Sequence, residues 1–389
     1  MAQDADSARS GAAPRIAMVA GEASGDLLAA LLLDGLHARW PALSAHGIGG
    51  PQMAQRGFEA WWPSDKLAVR GYVEVLRHYR GIVAIRAQCR RRWLKSPPDL
   101  FIGVDAPDFN LALERDLRRA GVKTLHFVSP SVWAWRAERL ARMRDSVDLV
   151  LCLVPFEPAL LQQHGIAATY VGHPLAATIA MVPDRQAARL ALGLPVQGPV
   201  VALLPGSRQS EIDYLARRFL DAAAILLRQR PWIRFVLPTL PALKPRVERI
   251  VRDAGMARHV DVLSGQSHQA LAACDATLIA SGTATLEAAL FKRPMVIAYN
   301  MHWLSWQLMR RQRLQPWVGL PNILCRDFVV PEFLQDKATP AALAAALAQW
   351  LDEPDRVTAL QQRFASLHRE LQRDTSELAA HAIAQLLPA

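Results

Sequence analysis

Between Val200 and Leu220 the chain reads VVALLPGSRQSEIDYLARRFL, and few folds accept that order of residues. Val200 to Leu204 is a short uninterrupted apolar run, the mark of a strand buried on both faces of a parallel sheet. Pro205 and Gly206 end it, and from Ile212 onward apolar residues recur at helical spacing. Strand, tight turn and helix in succession make half of a βαβ unit, which predicts an α/β fold with parallel strands. Gly206, Ser207 and Arg208 fall in the turn. Backbone N–H groups at a helix start, a hydroxyl and a guanidinium there suit a phosphate or diphosphate. A capped helix with a surface arginine fits the same residues equally well.

The first half of the chain repeats this pattern. Arg15 to Ala20 reads as a strand, and GEASGD (21–26) as the loop before a helix reaching about Arg39. A second glycine-rich loop, Gly47 to Pro51, follows the next strand. Small residues let the backbone approach a ligand, although a GxGxxG dinucleotide fingerprint is absent. Glu22, Ser24, Gly25 and Asp26 are candidate sugar contacts, with Ser24 or Asp26 alternatively capping the helix. PDLFIGVDAPDFN (98–110) is a buried strand running into a loop with two aspartates and an asparagine. Asp105 falls at the strand's carboxyl end, where open α/β sheets hold ligands, and a carboxylate there can act as general base on a sugar hydroxyl. Asp108 is expected to cap the following helix, and Asn110 is a candidate acceptor contact. After the strand Val122 to Val128 comes SPSVWAWR (129–136), with Ser129 and Trp133 as further candidates, the tryptophans either stacking on substrate or packing in the core. His173, in GHPL, either touches a ligand phosphate or is a loop histidine.

Val182 and Pro183 read as a linker, because strand and helix alternation restarts beyond them. Strands are expected at Val200, Ile233 to Leu237, Val260 to Leu263, Ala276 to Ala280 and Met295 to Ala298. ASGTATLEAALF (280–291) is a strand end, a small-residue turn and a helix. Ser281, Gly282 and Thr283 offer N–H and hydroxyl donors to a diphosphate, and Glu287 is placed to accept from ribose hydroxyls. Asn322, in LPN, is expected to face the ligand. Domains are accordingly predicted on either side of this linker, over residues 1–181 and from residue 182 on.

Lys and Arg number 45 against 35 Asp and Glu, a net charge of +10 that favours anionic partners. Four scattered cysteines lack metal-ligand spacing, so a reduced cytoplasmic protein is expected, with no metal. The polar N-terminus lacks a signal-like apolar run, and no segment approaches the roughly 20 apolar residues of a spanning helix. Leu67, Val69, Tyr72, Val73 and Leu76 form an apolar patch ahead of a helix bearing Arg86, Arg90, Arg91, Arg92 and Lys95. This combination suits an anionic membrane face, and a core helix with a solvated basic face fits it too. Trp303, Trp306, Arg310, Arg311, Arg313 and Trp317 form a second aromatic and basic cluster.

Taken in order, GEASGD, GVDAPDFN, SPSVWAWR, GHPL, LLPGSR, SGTATLE and LPN resemble the lipid A disaccharide synthases, from about Arg15 to the C-terminus. The resemblance implies a GT-B glycosyltransferase of two Rossmann-like domains facing each other across a cleft, with the last helix, at about 358–389, crossing back to the first and 182–357 left as the second. It implies transfer from UDP-2,3-diacylglucosamine to 2,3-diacylglucosamine 1-phosphate, giving the β-1,6-linked disaccharide 1-phosphate and UDP. Asp105 would deprotonate the acceptor 6-hydroxyl, and Arg208 with the Ser281 loop would stabilise departing UDP without a metal ion. A cytoplasmic enzyme peripheral on the inner membrane is implied, as is a homodimer, domain-swapped in some members. A UDP-N-acetylglucosamine 2-epimerase or the lipid II-forming transferase would share the nucleotide loops but is not expected to carry SPSVWAWR. A nucleic-acid or membrane-binding protein without enzymatic activity accounts for the charge and leaves the polar strand-end loops unexplained.

Overall fold

The computed structural model describes residues 13–67, 72–133, 138–300, 306 and 315–387. The chain divides into two compact units: Met1–Pro174 with Leu371–Ala389, and Leu175–Glu370.

In the first unit, seven strands form one parallel sheet: β1 (Arg15–Ala20), β2 (Ser44–Gly49), β3 (Glu59–Pro63), β4 (Leu100–Val104), β5 (Lys123–Phe127), β6 (Leu149–Cys152) and β7 (Ala168–Tyr170). Their order is β3-β2-β1-β4-β5-β6-β7. Central β1 and β4 are apolar on both faces because helices cover both sides of the sheet. The sheet grows from β1 in one direction to β3 and then from β4 in the other. That reversal opens a crevice beyond the carboxyl ends of β1 and β4, the position where doubly wound sheets bind ligands.

Helix α1 (Glu22–Arg39) starts immediately after β1, so GEASGD is its first turn and not a separate loop. The chain's last helix, Thr375–Leu386, packs on α1, and its Ala379, Ala380 and Ile383 enter the same core cluster as Leu32, Leu33 and Leu36. Gly35 permits this approach, since a Cβ there would overlap the Ser376 backbone. Ser376 Oγ also donates to the Leu31 carbonyl at 2.8 Å.

The second unit holds a six-stranded parallel sheet of β8 (Val200–Leu204), β9 (Arg234–Thr239), β10 (Val260–Ser264), β11 (Ala276–Ala280), β12 (Met295–Tyr299) and β13 (Glu332–Leu334), ordered β10-β9-β8-β11-β12-β13. Its reversal lies between β8 and β11, so the turns after these two strands flank its crevice. The helix Arg185–Ala191 follows soon after Val182 and Pro183. Arg189, 1% exposed, gives its guanidinium to Asp275 at 2.6 Å and to four backbone carbonyls. A buried guanidinium is tolerated because these acceptors replace its hydration.

The apolar patch is only partly described. Leu67 closes a short 3₁₀ turn and packs against the cluster of Trp93, Phe101 and Cys89. Val69 lies outside the described residues. Tyr72, Val73 and Leu76 belong to the helix Tyr72–Lys95, and their side chains are outside the description. Trp61 stacks on buried Trp93 with ring centroids 5.5 Å apart, and the Arg92 guanidinium lies 4.5 Å over Trp61. These tryptophans therefore belong to the core. Of the second aromatic and basic cluster, Trp303, Arg310, Arg311 and Arg313 lie outside the described residues. No helix among the described residues is long and apolar enough to cross a membrane.

Candidate active site

In the first unit the candidate residues gather around the end of β4. Asp105 and Ala106 have φ of 51° and 44°, left-handed values that cost a residue with a Cβ about 1–3 kcal/mol each. Such a turn persists only where its surroundings fix it. The Asp105 N–H donates to the Phe127 carbonyl at 2.9 Å, and Asn110 Nδ2 donates to the Asp105 carbonyl at 2.8 Å and the Val19 carbonyl at 3.4 Å. The consequence is an exposed carboxylate at the strand end, beside the start of helix α4 (Pro107–Arg119).

Two expectations are corrected here. Asp108 does not cap α4, whose N-cap is Ala106, but accepts from Arg139 at 2.8 Å. Asn110 is fully buried, so its amide supports the Asp105 turn and does not face an acceptor. Beneath them lies a pair that the sequence reading missed. Glu114 Oε1 and His126 Nδ1 are 2.7 Å apart, both side chains wholly buried.

The neighbouring loops carry the other candidates. Glu22 begins α1 with φ of 61°, Ser24 is exposed, and Gly25 is buried against Ala20. Asp26 does not cap α1. Its carboxylate accepts from Gly50 N and Gln52 N at 2.9 Å and Met53 N at 3.1 Å, tying the first turn of α1 to the loop after β2. Ser129 is buried next to Val128, whose φ of 78° is strained for a β-branched residue. Trp133 Nε1 donates to Glu157 Oε1 at 2.8 Å, and its ring meets Phe156 edge-on at 5.5 Å. Burial pushes the Glu157 carboxyl up to about 8, against the opposing pull of the Trp133 and Val154 N–H donors. Trp135 and Arg136 lie outside the described residues. The His173 N–H donates to the Leu371 carbonyl at 2.9 Å.

In the second unit the turn after β8 has features of both readings left open by its sequence. Gly206 has φ of 130°, and a Cβ there would overlap Glu211. Glu211 accepts from Ser207 N at 2.9 Å, Arg208 N at 3.2 Å and the Arg208 guanidinium at 3.2 Å. This caps helix α9 (Gln209–Gln229) and occupies two N–H groups that a phosphate would otherwise use. The Arg208 side chain remains 52% exposed. Tyr299 ends β12 at the same carboxyl edge of the sheet, and burial and then the Glu211 charge raise its phenol, with Arg208 opposing.

After β11, Ser281 Oγ donates to the Val318 carbonyl at 2.9 Å. Gly282 and Thr283 are exposed at the start of α12 (Thr283–Leu290). Glu287 lies 3.5 Å from His268 Nε2, and this hydrogen bond raises the His268 pKa against partial burial. Asn322 requires a third correction. It is fully buried, its Nδ2 donating to the Val330 carbonyl at 2.9 Å and Glu332 Oε1 at 2.8 Å while its Oδ1 accepts from Val330 N at 3.0 Å. Glu332 in turn accepts from Val318 N at 3.0 Å and Gly319 N at 2.9 Å. Asn322 thus braces the segment that receives Ser281, and both of its amide N–H groups are taken.

The family model described as lipid-A-disaccharide synthetase matches residues 16–385. The chain belongs to this family. It is 65% identical over 378 residues to the lipid-A-disaccharide synthase of Albidiferax ferrireducens, covering 96% of this chain and 97% of that one. It is 53% identical over 376 residues to the enzyme of Burkholderia thailandensis, covering 96% of each. The activity is therefore a GT-B glycosyl transfer that forms the lipid A disaccharide. Among solved structures, the UDP-GlcNAc 2-epimerase of Neisseria meningitidis bound to UDP-GlcNAc superposes with a TM-score of 0.64 at 11% identity, over 96% of this chain and 99% of that one. That likeness concerns the fold alone.

Proposed function

We propose that Asp105 is the general base of this glycosyl transfer and that the turns after β8 and β11 hold the donor's diphosphate. The substrates are UDP-2,3-diacylglucosamine and 2,3-diacylglucosamine 1-phosphate. Asp105 takes the proton of the acceptor 6-hydroxyl as its oxygen attacks the donor anomeric carbon, and the bond to UDP breaks with inversion. Negative charge accumulates on the leaving diphosphate. Arg208, with donors from Ser281, Gly282 and Thr283, is suited to stabilise it, and Glu287 to accept from the ribose. Glu22, Ser24, Gly25, Ser129, Trp133 and His173 are the proposed surroundings of the acceptor.

The observation that carries this reading is an exposed carboxylate held in a strained, doubly anchored turn at the sheet's switch point. Strain of this kind collects at functional sites. Asp105→Asn should lower turnover by about 100-fold or more, the scale of a lost general base, while UDP binding stays unchanged. Turnover close to wild type removes Asp105 from the role.

The acylated substrates and the net charge of +10 support peripheral association with the anionic inner membrane from the cytoplasmic side. Co-sedimentation with vesicles containing anionic lipid, lost as salt is raised, is the expected result; equal binding to neutral vesicles contradicts it. A homodimer is part of the same reading, and sedimentation at the monomer mass would remove it.

A further inference from the structure

The Asp105 turn is gripped from two sides, and the buried pair beneath it joins the two grips. On one side the Asp105 N–H is held by the carbonyl of Phe127, the neighbour of His126 on β5. On the other, its carbonyl is held by Asn110, one helical turn before Glu114 on α4. The 2.7 Å contact between Glu114 and His126 closes the circuit by fastening α4 to β5. Gly103, on β4 between them, makes room, because a Cβ there would overlap the Glu114 carboxylate. We infer that Glu114 and His126 are positioning residues for Asp105, a clamp that holds the base in its left-handed turn.

Stability alone does not account for the pair. Burying an acid and an imidazole costs more than an apolar pair of the same volume. Here Glu114 Oε2, His126 Nε2 and Asn110 Oδ1 are all buried without a hydrogen-bond partner among the described residues, which adds to that cost. Burial is the largest influence and lowers the His126 pKa, but the charge and hydrogen bond of Glu114 together with the charge of Asp105 leave it raised, while burial also raises the Glu114 carboxyl. The Asp105 charge is thus felt at the clamp as well as held by it.

This inference rests on Asp105 being the base, and the experiment separates the two. The full-length double variant Glu114→Met/His126→Leu replaces the pair with apolar side chains of similar size. A clamp that positions the base predicts a melting temperature at or above wild type, unchanged UDP binding, and kcat lowered about 10–100-fold with little change in acceptor KM, the range seen when supporting partners of a site are lost. Wild-type kcat in the folded double variant overturns the inference. Should that variant fail to fold, Glu114→Gln keeps the shape and one hydrogen bond: kcat lowered at constant KM supports the clamp, and wild-type kcat overturns it. Asp105→Asn in the same series distinguishes the failures. If it stays active, the base assignment fails; if it is inactive while the double variant is active, only the clamp fails.

Discussion

Replacing Asn322 with alanine distinguishes a brace from a ligand contact. The change removes both hydrogen-bond partners of the Val330 backbone, at a residue 1% exposed, together with one donor to the Glu332 carboxylate. An orphaned buried polar group costs about 1–3 kcal/mol, so two such groups with partial relaxation cost on the order of 3 kcal/mol. For a unit of this size that lowers the melting temperature by about 6–12 °C. Because Glu332 also holds Val318 and Gly319, and Val318 accepts from Ser281, UDP affinity should fall in step with stability. Thermal unfolding followed by dye fluorescence, paired with calorimetric titration of UDP, measures both quantities on one preparation. An Asn322→Ala protein that melts like wild type but has lost UDP affinity would make Asn322 a direct contact and not a brace.

Two further outcomes are expected. Arg208→Ala should behave in the opposite way, with a melting temperature close to wild type because the side chain is half exposed, and with UDP affinity lowered about 10–100-fold for one lost charge-assisted contact; unchanged UDP titration would remove Arg208 from the phosphate site. For Glu157, the folded-state pKa of about 8 lies above its ordinary value of 4.5, so the folded state binds the proton more tightly. Its favourable contribution is complete below about pH 4.5 and is lost as pH rises through about 8. Urea unfolding at pH 5, 7 and 9 should show declining stability in wild type and a flatter profile in Glu157→Gln; equal slopes would contradict this.

The parallel architecture was legible because each buried strand is a short apolar run ended by small or polar residues, as at Val200 to Leu204 and Leu100 to Val104. The same punctuation marked the turns at Asp105, Pro205 and Ser281, which the strand orders bring to the two switch points. Edge strands β3 and β13 were missed, since Trp61, Trp62 and the half-buried Glu332 to Leu334 lack a continuous apolar run. Side-chain destinations were less legible. Asp26, Asn110 and Asn322 sit next to glycines and strand ends in the sequence, which suggests ligand contact or helix capping. Each instead serves backbone groups, and those of Asp26 lie 24 to 27 residues away. Glu114 and Glu157 lie on ordinary amphipathic helices, and nothing local marks them as buried. Their partners, His126 on β5 and Trp133 in the loop after it, appear only once the chain is folded.

A base at Asp105 and a diphosphate site built from protein groups should together join the two acylated sugars without a metal ion. Incubating the purified protein with UDP-2,3-diacylglucosamine and 2,3-diacylglucosamine 1-phosphate in the presence of a divalent-metal chelator, and following the products by mass spectrometry, tests it most directly. Equimolar UDP and disaccharide 1-phosphate, absent with Asp105→Asn, is the predicted result. UDP released with free diacylglucosamine, or disaccharide formed at an undiminished rate by Asp105→Asn, would contradict it.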